Sequence, residues 1–320
     1  MQTTLLPAAW AAITDNGERV THLYPNSCFT AHLALYHFAL PWAVGKTVLD
    51  AGCGTGYGAH YLAEQGAACV QAIDLSDKAI GFCQQHFQRA NLHYQVMDLQ
   101  AMRGFAPHSF DLIFTSNTLE HLPDVGLFFQ QAHQLLKPEG VIIVAVPPIV
   151  NEAARLANLA NPYHLNIWSP RQWHHTLEQF FAQVACYRHH FAPAVDRPGA
   201  LFNVFDTPAE AMPIEDFCFL PIELAELSII GAITAIFVAQ KPRSLAQLPI
   251  IQELQHFVDH SFSRSLSLSI TASIPAPTMP IKAWSTHDPL AKKFVYALRH
   301  YGLQATMHEI VAYLRWRVYH

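Results

Sequence analysis

A chain of 320 residues, 51% of them hydrophobic, can bury the core of one large domain or of a domain with an extension. A formal net charge of −5 and a charged fraction of 13% argue against holding nucleic acid by bulk electrostatics, and 20 histidines by number alone select no function class. The six cysteines (Cys28, Cys53, Cys69, Cys83, Cys186 and Cys218) form no C-x-x-C pair, which argues against a structural zinc site and suits reduced, buried thiols in a cytoplasmic protein.

The first residues show neither the basic nor the apolar region of a signal peptide. Residues 26–43, with Phe29, Leu33, Leu35, Tyr36, Phe38 and Leu40, predict a helix ended by Gly45, with Pro41 near its end, where a break is tolerated. Next comes a β-rich run, Thr47 to Asp50, that ends in an acid. Gly52, Gly54, Gly56 and Gly58 follow at alternate positions, and Ala59 to Gln65 reads as a helix. Glycine is needed here for a sharp turn from strand to helix and for close approach of the backbone to a ligand. The glycines alone leave two ligand classes open, because Gly54-x-Gly56-x-x-Ala59 also fits a dinucleotide loop with pyrophosphate on the helix N-terminus. Asp50 discriminates: a carboxylate at the strand end repels pyrophosphate but suits the ammonium and sulfonium charges of S-adenosylmethionine.

The run Val48-Leu49-Asp50-Ala51-Gly52-Cys53-Gly54-Thr55-Gly56 closely resembles the first motif of class I S-adenosylmethionine-dependent methyltransferases, in the small-molecule, type 11-like subgroup. In that family a helix like 26–43 often lids the cofactor. A second βα unit runs from Cys69 to Leu75, with Ser76 able to cap a helix over Asp77 to Phe87. Asp74 ends its strand, and one carboxylate can accept from both hydroxyls of a ribose. A third strand, Leu92 to Met97, is followed by Asp98, where the resemblance implies an acceptor for the adenine amine. It further implies cofactor contacts at Gly52, Cys53, Gly54, Thr55 and Gly56, at Leu75 and Leu99, and at Asn117.

The fourth strand is Phe110 to Ser116, and the Leu119-Glu120-His121-Leu122-Pro123-Asp124 run after it again resembles the family. Its end lies where an open α/β sheet reverses direction and binds ligands. Amino-directed DNA methyltransferases carry an Asn-Pro-Pro-Tyr type motif there; Ser116-Asn117-Thr118-Leu119 departs from it and counts against base methylation. A helix over Gly126 to Leu136 leads through Lys137-Pro138-Glu139-Gly140 to a fifth strand, Val141 to Val146, closed by Pro147 and Pro148. Ser169 and Pro170 make an N-cap and first position for a helix through Phe181. Val184 to Phe191 and Ile229 to Gln240 read as strands six and seven, separated by an insertion at 192–228 that reads as a substrate cap.

The resemblance therefore implies an α/β, Rossmann-like, doubly wound seven-stranded sheet, order 3-2-1-4-5-7-6 with strand 7 antiparallel, and a helical C-terminal extension. The domains are an N-terminal helical lid at 1–45, the methyltransferase domain at 46–241, and a linker with helices at 242–320. Pro249 to Phe262 looks helical, 261–280 is Ser- and Pro-rich, and Asp288 to Tyr301 and Ala305 to Tyr319 read as helices broken at Gly302. Residues 291–320 hold five Lys and Arg against one acid, Glu309, a net +4 that leaves −9 on the rest of the −5 chain. That charge suits docking on the acidic body; a homodimer or an anionic surface is the other partner it could serve. The most apolar run, Ser228 to Ala239, is too short and too polar to span a bilayer.

Methyl transfer from a sulfonium is an in-line displacement, so positioning of the acceptor does most of the work, about 7–11 kcal/mol. A general base adds about 10²–10⁴-fold if the acceptor is a weak acid such as a hydroxyl. His164, in the segment after strand five, is the first candidate and His121 the second, since histidine titrates in the right range. The expected function is methyl transfer from S-adenosylmethionine to a small-molecule or glycan acceptor at oxygen, with no metal and no nucleic acid. The rivals are a nicotinamide-dependent oxidoreductase and a non-catalytic binding or assembly module.

Overall fold

Alternation along the strands sets the architecture. On β5 (Leu136–Val146), Ile142, Val144 and Val146 face one apolar cluster while Val141, Ile143 and Ala145 face another, so both sides of the strand are buried. The same division runs through β1 (Thr47–Ala51), with Leu49 on one side and Val48 on the other. The computed structural model describes residues 19–23, 25–192, 212–230, 232–244 and 248. Around β1 lie β2 (Cys69–Asp74), β3 (Leu92–Val96) and β4 (Phe110–Ser116), all parallel with β5. Helices α1 (Ser27–Ala43), α2 (Tyr57–Glu64) and α3 (Asp77–His86) supply one face; α4 (Val125–Leu135) and α6 (Pro170–Phe180) supply the other.

The caps read from the sequence form as expected: Ser76 accepts from Ala79 N at α3, and Ser169 makes a capping box with Gln172. Asn26, accepting from Phe29 N at the start of α1, is a further cap. A further helix, α5 (Glu152–Ala160), capped by Asn151, was not anticipated.

The sheet corrects the expected count. It has eight strands in the order β3-β2-β1-β4-β5-β8-β6-β7. Strands β6 (Phe181–Phe191) and β8 (Thr234–Pro242) keep the expected places, β8 antiparallel to both β5 and β6. The additional edge strand, β7 (Phe217–Pro221), pairs antiparallel with β6. It comes from inside the stretch read as a cap, so the described end of that insertion extends the sheet. The last strand also begins at Thr234, later than the expected Ile229, because Leu224–Ile230 is a helix, α7. The amides of Glu226 and Leu227 bond back to Glu223 O, and this helical spacing buries Leu227 fully in the core. β5 starts earlier than expected, at Leu136, with a register shift against β4 between Phe110 and Leu112 that accommodates Pro138.

No described helix is long and apolar enough to cross a membrane. The expected cap at 193–211, the helices and linker beyond 248 and the first 18 residues lie outside the described residues.

Candidate active site

The parallel strands end together in a crevice whose floor is the glycine loop. The amides of Gly52 and Cys53 both donate to Ile73 O, at 2.8 and 3.0 Å, which fixes the loop to the end of β2. The four glycines serve different needs. Gly52, at φ +89°, would drive a Cβ into Thr118, and Gly58 would drive one into the Tyr36 ring. Gly56, at φ +79°, is the N-cap of α2 and is closed over by Cys83 and Tyr94. Gly54, at φ +56°, is the one of the four with no atom within 4 Å of a built Cβ. It alone leaves open space beside its Cα where a ligand can come close; Gly58 is there for packing.

Asp50 is 1% exposed and receives the Tyr36 hydroxyl at 3.3–3.4 Å. Burial pushes its pKa up to about 8, against the Tyr36 hydrogen bond and with help from the Asp74 charge. Burial likewise keeps Tyr36 protonated well above the usual tyrosine range, so it remains the donor. A buried carboxyl held proton-bearing by lack of a counter-charge is a site for a cation. Asp74 accepts from Gly54 N at 2.9 Å on Oδ2 and from Ser76 N at 3.0 Å on Oδ1, and Arg19 Nη1 stands 3.6 Å from Oδ1. Leu75 beside it is 70% exposed, an apolar surface at the mouth of the crevice. The open backbone at Gly54, the Asp74 carboxylate and Leu75 together fit a nucleoside, and Asp50 fits a positive charge.

The other expected cofactor residues divide. Thr55 is fully buried and donates to Val20 O at 2.7 Å, fastening the N-terminal segment over the loop. Cys53 is buried, and its thiol is raised well above the ordinary range by its hydrogen bond with Cys83 and by burial, so it is no nucleophile. Asp98 turns on itself, accepting from Gln100 N at 2.8 Å, and the Leu99 side chain lies in the core. These last residues can offer backbone or a carboxylate edge, not an apolar wall. Asn117 takes a left-handed φ of +46° and donates to Ser116 Oγ at 3.1 Å, turning the chain out of β4.

The two histidines meet. The rings of His121 and His164 lie edge to face with centroids 5.0 Å apart. Asn166 makes the junction: its side-chain amide donates to Leu119 O at 2.9 Å and Leu122 O at 2.7 Å, while its own amide donates to Glu120 O. Glu120, 2% exposed, is the member that sequence reasoning missed. It stands in the Leu-Glu-His run, but its partner His164 comes from a loop around Tyr163, 42 residues beyond His121. One ligand atom from each of Glu120, His121 and His164 lies within 4.8 Å of the other two. That group is a set of possible metal ligands where the sequence implied no metal.

Residues 49–144 match the family model described as "Methyltransferase domain". The chain is 33% identical over 101 residues to the ubiquinone biosynthesis O-methyltransferase of Neisseria meningitidis serogroup A, covering 31% of this chain and 42% of that protein. It is 35% identical over 133 residues to the protein of the same name from Albidiferax ferrireducens, covering 41% and 52%. The chain thus spans about half the length of the curated relatives it matches. Among solved structures, the N-methyltransferase NodS of Bradyrhizobium japonicum, in complex with S-adenosyl-L-homocysteine, has a TM-score of 0.49 at 13% identity, over 73% of this chain and 97% of that one.

Proposed function

Taking the class I, type 11-like methyltransferase domain at residues 49–144 as the premise, we propose that this chain transfers a methyl group from S-adenosylmethionine to a small-molecule acceptor at oxygen. The observation that supports this most is the open backbone of Gly54 beside the Asp74 carboxylate, at the sheet end where the Glu120–His121–His164 cluster also stands. When bound, S-adenosylmethionine supplies a methyl already activated on a sulfonium.

The chain's own residues then do three things. Asp50, buried against Tyr36, holds the positive end. Asp74, whose Oδ1 Arg19 approaches, receives the ribose hydroxyls, and Asp98 accepts from the adenine amine. His121, three residues after the Thr118 that packs on Gly52, and His164, which meets it across the Asn166 junction, take the acceptor's proton. Oxygen is favoured over nitrogen by similarity to the ubiquinone biosynthesis O-methyltransferases.

The test is calorimetric titration of the full chain with S-adenosylhomocysteine and NAD, together with an Asp74→Ala variant, followed by methyl-transfer assays on phenolic, amine and glycan panels. Micromolar binding of S-adenosylhomocysteine that the variant loses, with product formed on a hydroxyl, is the expected result. Binding of NAD alone would make the loop a dehydrogenase's. No binding of either would leave the fold as a scaffold.

A further inference from the structure

We propose that Glu120, His121 and His164 form a binding site for a borderline divalent transition ion, with zinc the best match. The spacing is one argument, with a ligand atom of each residue within 4.8 Å of the others. The stronger one is how the imidazoles are held from behind. His121 Nδ1 lies 2.9 Å from Tyr163 O. A carbonyl can only accept, so Nδ1 carries the proton and Nε2 the lone pair. His164 Nδ1 lies 2.7 Å from Asn158 Oδ1, and the Asn158 amide nitrogen is committed to Ala154 O at 2.8 Å. The oxygen is therefore the atom that faces His164, and the proton again sits on Nδ1. Donation of one ring N–H to a fixed oxygen, which presents the other nitrogen as a ligand, is how metal-bound histidines are oriented.

Two imidazoles and one carboxylate are a zinc set that keeps a fourth position open, whereas magnesium and calcium prefer oxygen alone. Zinc bonds of about 2.0–2.1 Å put tetrahedral ligand atoms about 3.4 Å apart. His121 Nε2 and Glu120 Oε1 are already at 3.9 Å, so side-chain rotation of under an ångström or so closes the pair. An ion here would receive an acceptor hydroxyl at its open position and lower its pKa, the proton passing to solvent water. The histidines would then act as ligands in place of proton acceptors. That role rests on the methyltransferase reading; the site itself does not.

The full chain is stripped with a chelator and titrated with Zn²⁺, Co²⁺ and Mg²⁺ by calorimetry, with Co²⁺ also followed by its visible absorption. One tight equivalent of Zn²⁺ or Co²⁺, a tetrahedral Co²⁺ spectrum and no Mg²⁺ binding are expected. His164→Ala should lose that equivalent, and Asn158→Ala, which removes only the support behind His164, should weaken it by about 10–100-fold. Glu120→Gln is compared with these by thermal melting, since Glu120 is buried; partly exposed His164 carries the decisive variant. Absence of a stoichiometric equivalent in the unaltered chain overturns the proposal. So does an equivalent that both His164→Ala and His121→Ala leave unchanged, which places the ion elsewhere among the 20 histidines. S-adenosylhomocysteine titrations on the same samples separate the two readings. Nucleoside binding without the ion removes this site and keeps the methyltransferase; the ion without nucleoside does the reverse.

Discussion

On the glycine-loop side of the crevice, neighbouring backbone does the holding: Gly52 and Cys53 bond to Ile73 O, and Gly54 N reaches Asp74. On the histidine side, side chains reach between segments far apart in the chain, as Asn166 does to Leu119 and Leu122 and His121 to Tyr163. The first half is specified by consecutive residues on two adjacent strands. The second depends on a few side-chain amides that a single substitution can remove. The two halves should therefore fail separately.

The largest effect expected is on the first half. Asp74→Ala removes the acceptor proposed for two ribose hydroxyls, each charged hydrogen bond being worth about 1.5–3 kcal/mol, so S-adenosylhomocysteine affinity should fall by about two to four orders of magnitude in calorimetry. A loss smaller than about tenfold would reduce Asp74 to a structural partner of Gly54.

Next in size is a pH effect from Asp50, whose surroundings are Tyr36, Cys53 and Asp74. With its pKa raised to about 8, the ligand-free protein holds this carboxyl protonated, and binding of a cation expels the proton. Affinity for S-adenosylmethionine should rise with pH by up to about tenfold per unit below that value, with proton release visible as buffer-dependent heats. For stability the sign is opposite. The folded state binds the extra proton between the ordinary carboxyl range and about 8, so the Asp50 contribution is present at low pH and lost as pH rises through that window. Asp50→Asn should flatten that part of the melting profile.

A pair of glycine variants sharpens the contrast within the loop. Gly58→Ala forces the Tyr36 ring to move and should cost about 1–3 kcal/mol, read as a lowered Tm. Gly54→Ala meets no atom and carries only the strain of its positive φ, about 1–2 kcal/mol, yet it should lose more cofactor affinity than Gly58→Ala loses at matched stability. The reverse order would move the ligand away from Gly54.

On the histidine side, Asn166→Ala leaves a buried and a partly buried carbonyl without their donor, about 1–3 kcal/mol. Hydrogen exchange should quicken at 119–122 and 163–166 while S-adenosylhomocysteine affinity stays within about twofold, and equal loss on both sides would show one cooperative unit. Smallest of all, Lys137→Ala breaks a 2.8 Å ion pair with Asp111 between partly exposed side chains, a change of about 0.2–1 kcal/mol that should touch neither half.

The same division decided what could be read in advance. The glycine loop, Asp50, Asp74 and the order of the first five strands follow from runs of adjacent residues, and the caps at Ser76 and Ser169 from local hydrogen bonding. Tyr36 under Asp50 and Arg19 on Asp74 come from the N-terminal segment, and no local pattern marks them. Both histidines were legible by position after their strands, but their meeting was not, because Asn166 and Asn158 look like ordinary loop and helix polar residues. The extra edge strand was missed for a related reason: Phe217–Pro221 is short, ends in proline and gains its place only by pairing with β6.

The antiparallel setting of β8 has a practical corollary for handling this protein. Arg19 and Val20 lie across the mouth of the crevice, held there by Thr55. It runs out along β8 in the direction that pairs Gln240 with Val141, so Arg243 emerges at the opposite pole, bonded to Phe180 O and His133. A reporter inserted directly after Arg243 would begin on the side remote from the glycine loop, and one inserted directly before Arg19 would begin beside that loop.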